Sequence, residues 1–182
     1  MPDRTKTMRG VHLTGHGGME KLVIRRDIPV PVPGPGDVLV RVAAAAVNNT
    51  DINTRTAWYS KQGGAGKDAA WSGGPIRFPR IQGADVCGRI VAVGADVGKN
   101  RIGERVLIEP CLREAHGRKL TSPWYLGSEC DGGFAEFVVA ASRHAWNIES
   151  ALTDVELASF PCSYSTAENL LTRSGVGKQE RI

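Results

Sequence analysis

Two groups of potential metal ligands can be picked out of the sequence. His12 and His16 are four residues apart, the spacing that places two histidines on one face of a helix. The glycines around them predict a turn, in which that spacing does not bring the side chains together, so solvated histidines are expected. Cys111, His116 and Cys130 could bind zinc, but a closed structural site uses four ligands, usually in close pairs. These three residues are therefore expected to be bystanders.

A glycine-rich stretch could in principle hold a phosphate. Residues 64–69, Gly-Ala-Gly-Lys-Asp-Ala, formally match the G-x-G-x-x-A pattern of dinucleotide-binding loops. That loop works between a buried strand and a helix, because the helix N-terminus holds the pyrophosphate. Neither flank has the required apolar pattern here. The P-loop pattern fails as well, since Lys61 and Asp68 stand where it needs glycine and Ser or Thr. No dinucleotide fingerprint is expected within residues 1–182.

Composition narrows the class of protein. The 182 residues are 41% hydrophobic and 23% charged, which is typical of a globular domain and disfavours a disordered or collagenous chain. The four cysteines form no C-x-x-C pair, so free thiols are expected. The net charge of +4 comes from dispersed basic residues, which disfavours nucleic acid as a partner. The apolar stretch 38–47 is too short to span a membrane and the N-terminus has no secretory pattern, so no membrane partner and a cytoplasmic location are expected.

The elements that would position any site are mostly short strands. β-leaning runs at 11–14 and 22–26 flank a glycine cluster and predict a hairpin, and alternate prolines over 28–36 predict an extended connector. Further strands are predicted over residues 37–47, 86–93, 104–108 and 134–140. At least six strands before residue 145 predict a compact β barrel or sandwich.

Helices are fewer and shorter. One is predicted over residues 50–56, with Asn49 or Thr50 as its N-cap. A second is predicted to start at the capping box of Thr153 and Glu156, and a third covers residues 163–173 and ends at Gly175. Residues 57–75 combine glycines, which disfavour regular structure, with two tryptophans and a tyrosine, which favour burial. This mixture predicts either a mobile flap over a pocket or a disordered insertion.

Four segments, in this order, resemble a known family. They are residues 37–51 (DVLVRVAAAAVNNTD), 79–94 (PRIQGADVCGRIVAVG), 103–106 (GERV) and 131–137 (DGGFAEF). Together they resemble the medium-chain dehydrogenase/reductase superfamily of alcohol dehydrogenases and quinone oxidoreductases, over residues 8 to 177. The resemblance implies a mainly β (α+β) fold: a GroES-like β barrel, which is the family's catalytic domain, with short C-terminal helices.

The resemblance also implies a domain plan. It predicts a disordered tail at 1–7, the GroES-like catalytic domain at 8–150, and linking helices at 151–182 that lead to a Rossmann domain missing from this chain. In the family that domain binds NAD or NADP, so the 182-residue chain is expected to be inactive alone. The polar segment 112–129 stands where the family has a four-cysteine zinc lobe, and is expected to form a surface lobe or a subunit contact in a homo-oligomer.

Zinc-dependent members of the family hold a catalytic metal with three ligands. The resemblance places Asn48, Ala84 and Cys162 at the ligand positions, and Asp85 at the neighbouring glutamate position. Asparagine is a poor zinc ligand and alanine is none, so no metal is expected, with Cys162 and Asp85 as weak candidates. Asn48 and the G-x-D pattern resemble the zinc-independent, quinone-oxidoreductase-like branch.

In that branch the resemblance implies direct hydride transfer from a reduced nicotinamide to a small carbonyl, enone or quinone substrate. Thr50 matches the residue that relays a proton to the substrate oxygen, or else caps a helix. Asn48 and Asp51 match positions lining the nicotinamide end of the cleft, although Asp51 could equally be a buried structural group. Thr166 matches a threonine that contacts the nicotinamide carboxamide, or is an ordinary helical residue.

Two other functions remain open at this stage. One is a zinc-dependent alcohol dehydrogenase with a degenerate metal site built on Cys162 and Asp85. The other is a non-enzymatic GroES-like binding module. The sequence leaves the substrate and the choice between NAD and NADP undecided.

Overall fold

The computed structural model describes residues 6–63, 68–175 and 177, with the backbone alone for 61–63. Its strands are β1 (Thr7–Leu13), β2 (Leu22–Pro29), β3 (Asp37–Ala46), β4 (Arg80–Ile81), β5 (Asp85–Val93), β6 (Arg105–Ile108), β7 (Cys111–Ala115), β8 (Arg118–Tyr125), β9 (Phe137–Ala141) and β10 (Ala145–Asn147). Its helices are α1 (Asn49–Arg55), α2 (Trp58–Gly63), α3 (Asp154–Leu157) and α4 (Pro161–Ser174).

A five-stranded antiparallel sheet, ordered β10-β6-β5-β3-β9, forms the centre of the molecule. The first four residues of β3 and of β5 are all buried, because both faces of these strands are covered. One face holds the main core, which includes Val40, Val86 and Ile90, and the other packs against α3. The curled sheet confirms the predicted mainly β, GroES-like architecture.

A second sheet, ordered β2-β1-β4, begins with the predicted hairpin. β1 starts at Thr7, inside the segment expected to be a tail, while residues 1–5 lie outside the described part of the chain. β2 runs through Ile28 to Pro29, so the extended connector is shorter than predicted and starts at Val30. Pro29 can end the strand because it pairs with the first residue of β1 and is followed by non-sheet backbone.

β9 begins three residues later than predicted. Residues 132–134 are not part of β9, so the expected start at Phe134 is wrong. Their N–H groups instead donate to the carbonyls of Ile81, Gln82 and Gly83. Phe134 O in turn accepts from Val11 N–H at 2.8 Å. This segment therefore joins the two sheets before the chain enters β9. The strands β3, β5 and β6 lie where the apolar runs predicted them.

The helices after residue 150 are confirmed, and the cap of α1 is corrected. Thr153 and Glu156 form the predicted capping box of α3, and Gly175 ends α4 with a φ of 69°. The N-cap of α1 is Asn48, not Asn49 or Thr50, because the helix starts one residue earlier than predicted. None of the described helices has the length and hydrophobicity needed to cross a bilayer.

The glycine-rich insertion is more ordered than its composition suggested. Residues 58–63 form α2, so the expectation of no regular structure is wrong there. Ala69 and Ala70 are fully buried, and Ala70 N–H donates to Gly74 O at 2.7 Å in a compact turn. Residues 64–67, which carry most of the G-x-G-x-x-A match, lie outside the described residues.

Candidate active site

Asp51 fixes the point where β3 gives way to α1. Its Oδ2 accepts from Asn48 N–H at 2.9 Å, which completes the helix N-terminus, and its Oδ1 accepts from Gly83 N–H at 3.0 Å. Gly83 has a φ of 107°, and a Cβ there would lie 2.7 Å from Phe134 N. Only glycine therefore allows this loop to lie so close to the backbone of residues 133–134 while its N–H reaches Asp51.

Burial sets the protonation behaviour of Asp51. Asp51 is only 5% exposed. This burial raises the pKa of its carboxyl group to about 6, although several backbone N–H groups stabilise the charged form. The nearby carboxylate of Asp85 raises the pKa further. Because both oxygens of Asp51 bind backbone N–H groups, its carboxylate joins the loop at Gly83 to the start of α1.

Asp85 joins three elements in a second buried contact. Its Oδ2 accepts from the Asn48 side-chain amide at 3.1 Å, and its Oδ1 accepts from Cys162 N–H at 2.6 Å. The residue is 1% exposed, and burial raises the pKa of its carboxyl group. The Asn48 amide also lies 3.4 Å from Ser163 Oγ. We call Asn48, Asp85 and Cys162 with these bonds the closed network, because both carboxylate oxygens already have partners.

The Cys162 thiol lies in an aromatic pocket. Tyr125 Oη is 2.9 Å from Cys162 Sγ, and Trp71 stacks on the Tyr125 ring with centroids 4.8 Å apart. Ala84, which has no exposed surface, completes this cluster. Burial raises the pKa of Cys162 and of Tyr125, so both groups keep their protons at neutral pH. The Cys162 thiol is therefore packed in the protein interior.

The donor set does not fit the three-ligand zinc site of the family. Within the part of the chain that the structure describes, no three His, Cys, Asp or Glu side chains come close enough to hold a metal. Ala84 offers no donor atom, the Cys162 thiol is bound to Tyr125, and both oxygens of Asp85 accept hydrogen bonds from the closed network. The other suggested ligands, Cys111, His116 and Cys130, also form no such group.

Thr50 does not cap α1 but forms a hydroxyl pair. The residue is buried in the helix, and its Oγ1 lies 2.9 Å from Tyr59 Oη, where either hydroxyl can donate. Tyr59 is half-buried on α2 and also makes an edge-on contact with Trp58. Sequence reasoning missed Tyr59 as a site residue. The available signal was an aromatic hydroxyl nine residues after Thr50, in the segment predicted to cover a pocket.

Thr166 lies one turn beyond Cys162 on α4. Its Oγ1 donates to Cys162 O at 2.7 Å, and the residue is exposed, as are the residues from Ser163 to Ser174. The hydroxyl oxygen can still accept a hydrogen bond from outside. The structure thus brings Asn48, Asp85 and Cys162 into direct contact, and leaves Thr166 on the free surface of the same helix.

His16 departs from its predicted environment. Its side chain is 12% exposed rather than solvated: Nδ1 donates to Thr54 O at 2.8 Å and the ring packs edge-on against Phe78. The glycine turn around it folds back onto α1, where Gly17 N–H donates to Arg55 O at 2.9 Å. His16 therefore helps to anchor the end of the helix that carries Thr50.

The curled antiparallel sheet, with α1 and α4 joined to β5 through Asp85, is the architecture of a GroES-like domain. Comparison with known proteins gives the particular family: residues 34–150 match the alcohol dehydrogenase GroES-like domain. The chain belongs to this family, within the medium-chain dehydrogenase/reductase superfamily, as the resemblance predicted.

Individual relatives agree with this assignment. The chain is 30% identical to human (Homo sapiens) quinone oxidoreductase over 173 residues, which cover 95% of this chain and 43% of that protein. A structure from Sinorhizobium meliloti 1021, named as a proposed alcohol dehydrogenase, has a TM-score of 0.80 at 40% identity and covers 96% of this chain and 49% of that one. An alcohol dehydrogenase from E. coli CFT073, determined with NADH, has a TM-score of 0.72 at 25% identity and covers 92% and 45%.

These relatives are much longer than this chain. The chain spans less than half the length of the curated relatives that it matches. The matched part is the GroES-like domain.

Proposed function

We propose that this chain is the catalytic-domain portion of an NAD(P)-dependent oxidoreductase that reduces a quinone, an enone or another activated carbonyl compound without zinc. The observation that carries the proposal is the closed network. It includes Asn48 and Cys162, two of the three positions at which the resemblance places metal ligands, and both Asp85 oxygens, the Asn48 amide N–H and the Cys162 thiol have partners within the protein.

Protonation supports the absence of a metal. Zinc binds thiolates, and its affinity falls when a proton must be displaced. Burial raises the pKa of Cys162, although the hydroxyl of Tyr125, 2.9 Å from its sulfur, partly opposes this effect. Recruiting Asp85 as a metal ligand would break the hydrogen bonds that join α1, β5 and α4.

Without a metal, the hydroxyl pair of Thr50 and Tyr59 is the proton source. A reduced nicotinamide, when bound, supplies the hydride to the substrate carbon. As the substrate oxygen gains negative charge, one of the paired hydroxyls donates a hydrogen bond and then its proton to that oxygen, and the resulting oxyanion of the pair takes a replacement proton from water. The two hydroxyls exchange the proton across 2.9 Å, so either side chain can face the substrate.

The remaining predicted site residues have positioning or binding roles in this proposal. Thr166 accepts a hydrogen bond from the nicotinamide carboxamide, because its own proton is donated to Cys162 O. Asn48 borders the cleft with its amide held by Asp85, and Asp51 holds the helix N-terminus. The coenzyme is NADP or NAD, the substrate is a small molecule, and the enzyme acts as a homo-oligomer.

The test combines metal analysis with activity. The protein is purified from zinc-supplemented medium as wild type and as Cys162→Ser, and NADPH oxidation by a quinone is measured for the full encoded polypeptide before and after chelation. We expect far less than one zinc per chain in both proteins and a rate unchanged by the chelator. Stoichiometric zinc that is lost in Cys162→Ser, with a chelator-sensitive rate, would favour a zinc alcohol dehydrogenase. A folded protein with no turnover would favour a binding module.

A further inference from the structure

A cavity of about 660 Å³ lies apart from the candidate active site. It opens between the β2-β1-β4 sheet, the β7–β8 hairpin and β9, and none of Asn48, Thr50, Asp85 or Cys162 lines it. Its volume falls within the range of about 300–1,000 Å³ that is usual for small-molecule sites. The proposed oxidoreductase reaction makes no use of this cavity.

One part of the cavity wall is apolar. Met8, Ile28 and Ile81 form a buried cluster between the strands of the second sheet, and all three border the cavity. Val138 of β9 and the Trp124 ring of β8 continue this wall. Such a surface favours a hydrocarbon chain or ring, because its burial removes apolar area from water on both sides.

The polar part of the wall contains an unpaired donor. Arg80 is 13% exposed, and its Nη1 donates to Asp131 Oδ1 at 2.7 Å, but its buried Nε has no hydrogen-bond partner. A buried N–H of a charged group is costly when left unpaired. Arg77, also on the wall, is exposed and makes no ion pair with any residue that the structure describes.

Both oxygens of Glu129 and one oxygen of Asp131, the acidic residues of the wall, already accept hydrogen bonds. Both oxygens of Glu129 accept backbone N–H groups, from Ser72 at 2.6 Å and from Tyr125 at 2.8 Å. Asp131 Oδ1 accepts from Ile81 N–H as well as from Arg80. The cavity therefore offers unmatched donors next to an apolar wall.

From this arrangement we infer a second binding site, for a small amphipathic carboxylate. The apolar part of the ligand lies on Met8, Ile28 and Ile81, and its carboxylate accepts from Arg80 Nε–H and pairs with Arg77. The planar guanidinium suits a carboxylate, since it can present two N–H groups to the two oxygens. This site is independent of the proposed oxidoreductase reaction.

The inference can be tested with 11-bromoundecanoate, whose bromine quenches tryptophan fluorescence on contact. Of the four tryptophans, Trp124 is the one that lines the cavity, whereas Trp71 lies against Tyr125 at the candidate active site. We expect saturable quenching that disappears in Trp124→Phe and persists in Trp71→Phe. The reverse pattern would place the ligand in the cleft and would overturn the inference.

Two matched pairs of variants test the site itself. Gly74 borders the cavity, and a Cβ there would meet only Ser72 Oγ, at 3.7 Å. The substitution Gly74→Phe therefore adds bulk to the cavity without backbone strain. Its control is Gly15→Phe, because Gly15 lies in open space away from the cavity. We expect Gly74→Phe to weaken binding about tenfold or more and Gly15→Phe to leave it unchanged. Arg77→Gln is compared in the same way with Arg26→Gln, and we expect a loss of about three- to tenfold for Arg77→Gln alone.

The headgroup is tested with 11-bromoundecanol. We expect the alcohol to bind at least about tenfold more weakly than the carboxylate, because it carries no charge for the guanidinium groups. Equal quenching by the alcohol and the carboxylate, or equal binding to Gly74→Phe and Gly15→Phe at unchanged melting temperatures, would overturn the inference. If Gly74→Phe does not fold, the Arg77 pair and the Trp124 pair decide the question.

Discussion

The closed network and the hydroxyl pair of Thr50 and Tyr59 both meet the N-terminal end of α1 but differ in how completely their polar atoms are used. In the closed network Asp85 accepts from two elements with both oxygens, and the Cys162 thiol lies against Tyr125. In the hydroxyl pair each oxygen keeps further hydrogen-bonding capacity and Tyr59 is half-buried. In the proposed function the first therefore holds α1, β5 and α4 together, and the second is free to act on a substrate.

The largest effect is expected from a change in the glycine loop next to the closed network. Gly83→Ala places a Cβ 2.7 Å from Phe134 N at a φ of 107°. We expect a loss of about 3 kcal/mol or more in the free energy of unfolding, because both the backbone strain and the clash must be relieved. Urea denaturation measures the change, and Gly15→Ala, which meets nothing within 4 Å, is the control. Similar stability of the two variants would contradict the close packing of this loop.

Removing the carboxylate at the centre of the closed network should have the next largest effect. Asp85→Ala leaves Cys162 N–H and the Asn48 amide without an acceptor in a buried place. We expect a loss of about 2–3 kcal/mol in the free energy of unfolding. The exposed Asp96, changed to Ala, serves as the matched control and should shift stability by less than about 0.5 kcal/mol. If both variants lost the same amount, Asp85 would not hold the elements together.

The pH dependence of stability tests the buried charge of Asp51. Its pKa in the folded protein is about 6, above the ordinary value of 3.8, so the folded state binds more protons between these values. Stability from this group is therefore greatest below pH 4 and falls as the pH rises to 6, by about 2 kcal/mol. Asp51→Asn should remove this fall, although the variant is less stable because one backbone acceptor is lost. Parallel stability curves for wild type and Asp51→Asn between pH 4 and 6 would refute the raised pKa.

The comparison also shows where sequence reasoning succeeded. The continuous apolar run predicts β3 as a strand covered on both faces, and the valines and isoleucines of residues 86–93 predict β5. The capping box of Thr153 and Glu156 predicts the start of α3, because it depends only on residues close together in the chain. The resemblance places Asn48 and Cys162 at ligand positions and Asp85 at a glutamate position, and in the structure Asp85 is hydrogen-bonded to both of the other residues. Spacing alone could not have done this, because Asp85 and Cys162 are 77 residues apart in the chain.

The hydroxyl pair shows where such reasoning ends. Thr50 was proposed as a proton relay, but its partner lies on a helix in a segment whose glycines argued against regular structure. The glycines around His16 predict a solvated turn. In the structure this turn instead packs onto α1, where His16 Nδ1 donates to Thr54 O, 38 residues further along the chain. Periodicity reports the local backbone, whereas these contacts depend on how separate loops pack together.

The smallest effect on stability, and the one that separates the two sides most clearly, is expected for Tyr59→Phe. The substitution removes the hydroxyl 2.9 Å from Thr50 Oγ1 but keeps the ring, so the free energy of unfolding should change by about 1 kcal/mol or less. If the pair supplies the proton, kcat for quinone reduction by the full encoded polypeptide should fall by about 10²-fold. Tyr164→Phe, which removes an exposed tyrosine hydroxyl on α4, is the control and should leave stability unchanged.

The same experiment distinguishes a proton source from a structural contact. A residue that merely held α2 in place would change KM and stability together, whereas a proton donor changes kcat at constant stability. The solvent isotope effect on kcat should decrease or vanish in Tyr59→Phe if the transferred proton then comes from water by a separate step, and Thr50→Ser should retain most of the wild-type rate because it keeps a hydroxyl at the same position. A full rate in Tyr59→Phe together with a large loss in Asp85→Ala at equal stability would reverse the assignment, and would move the chemistry from the hydroxyl pair to the closed network.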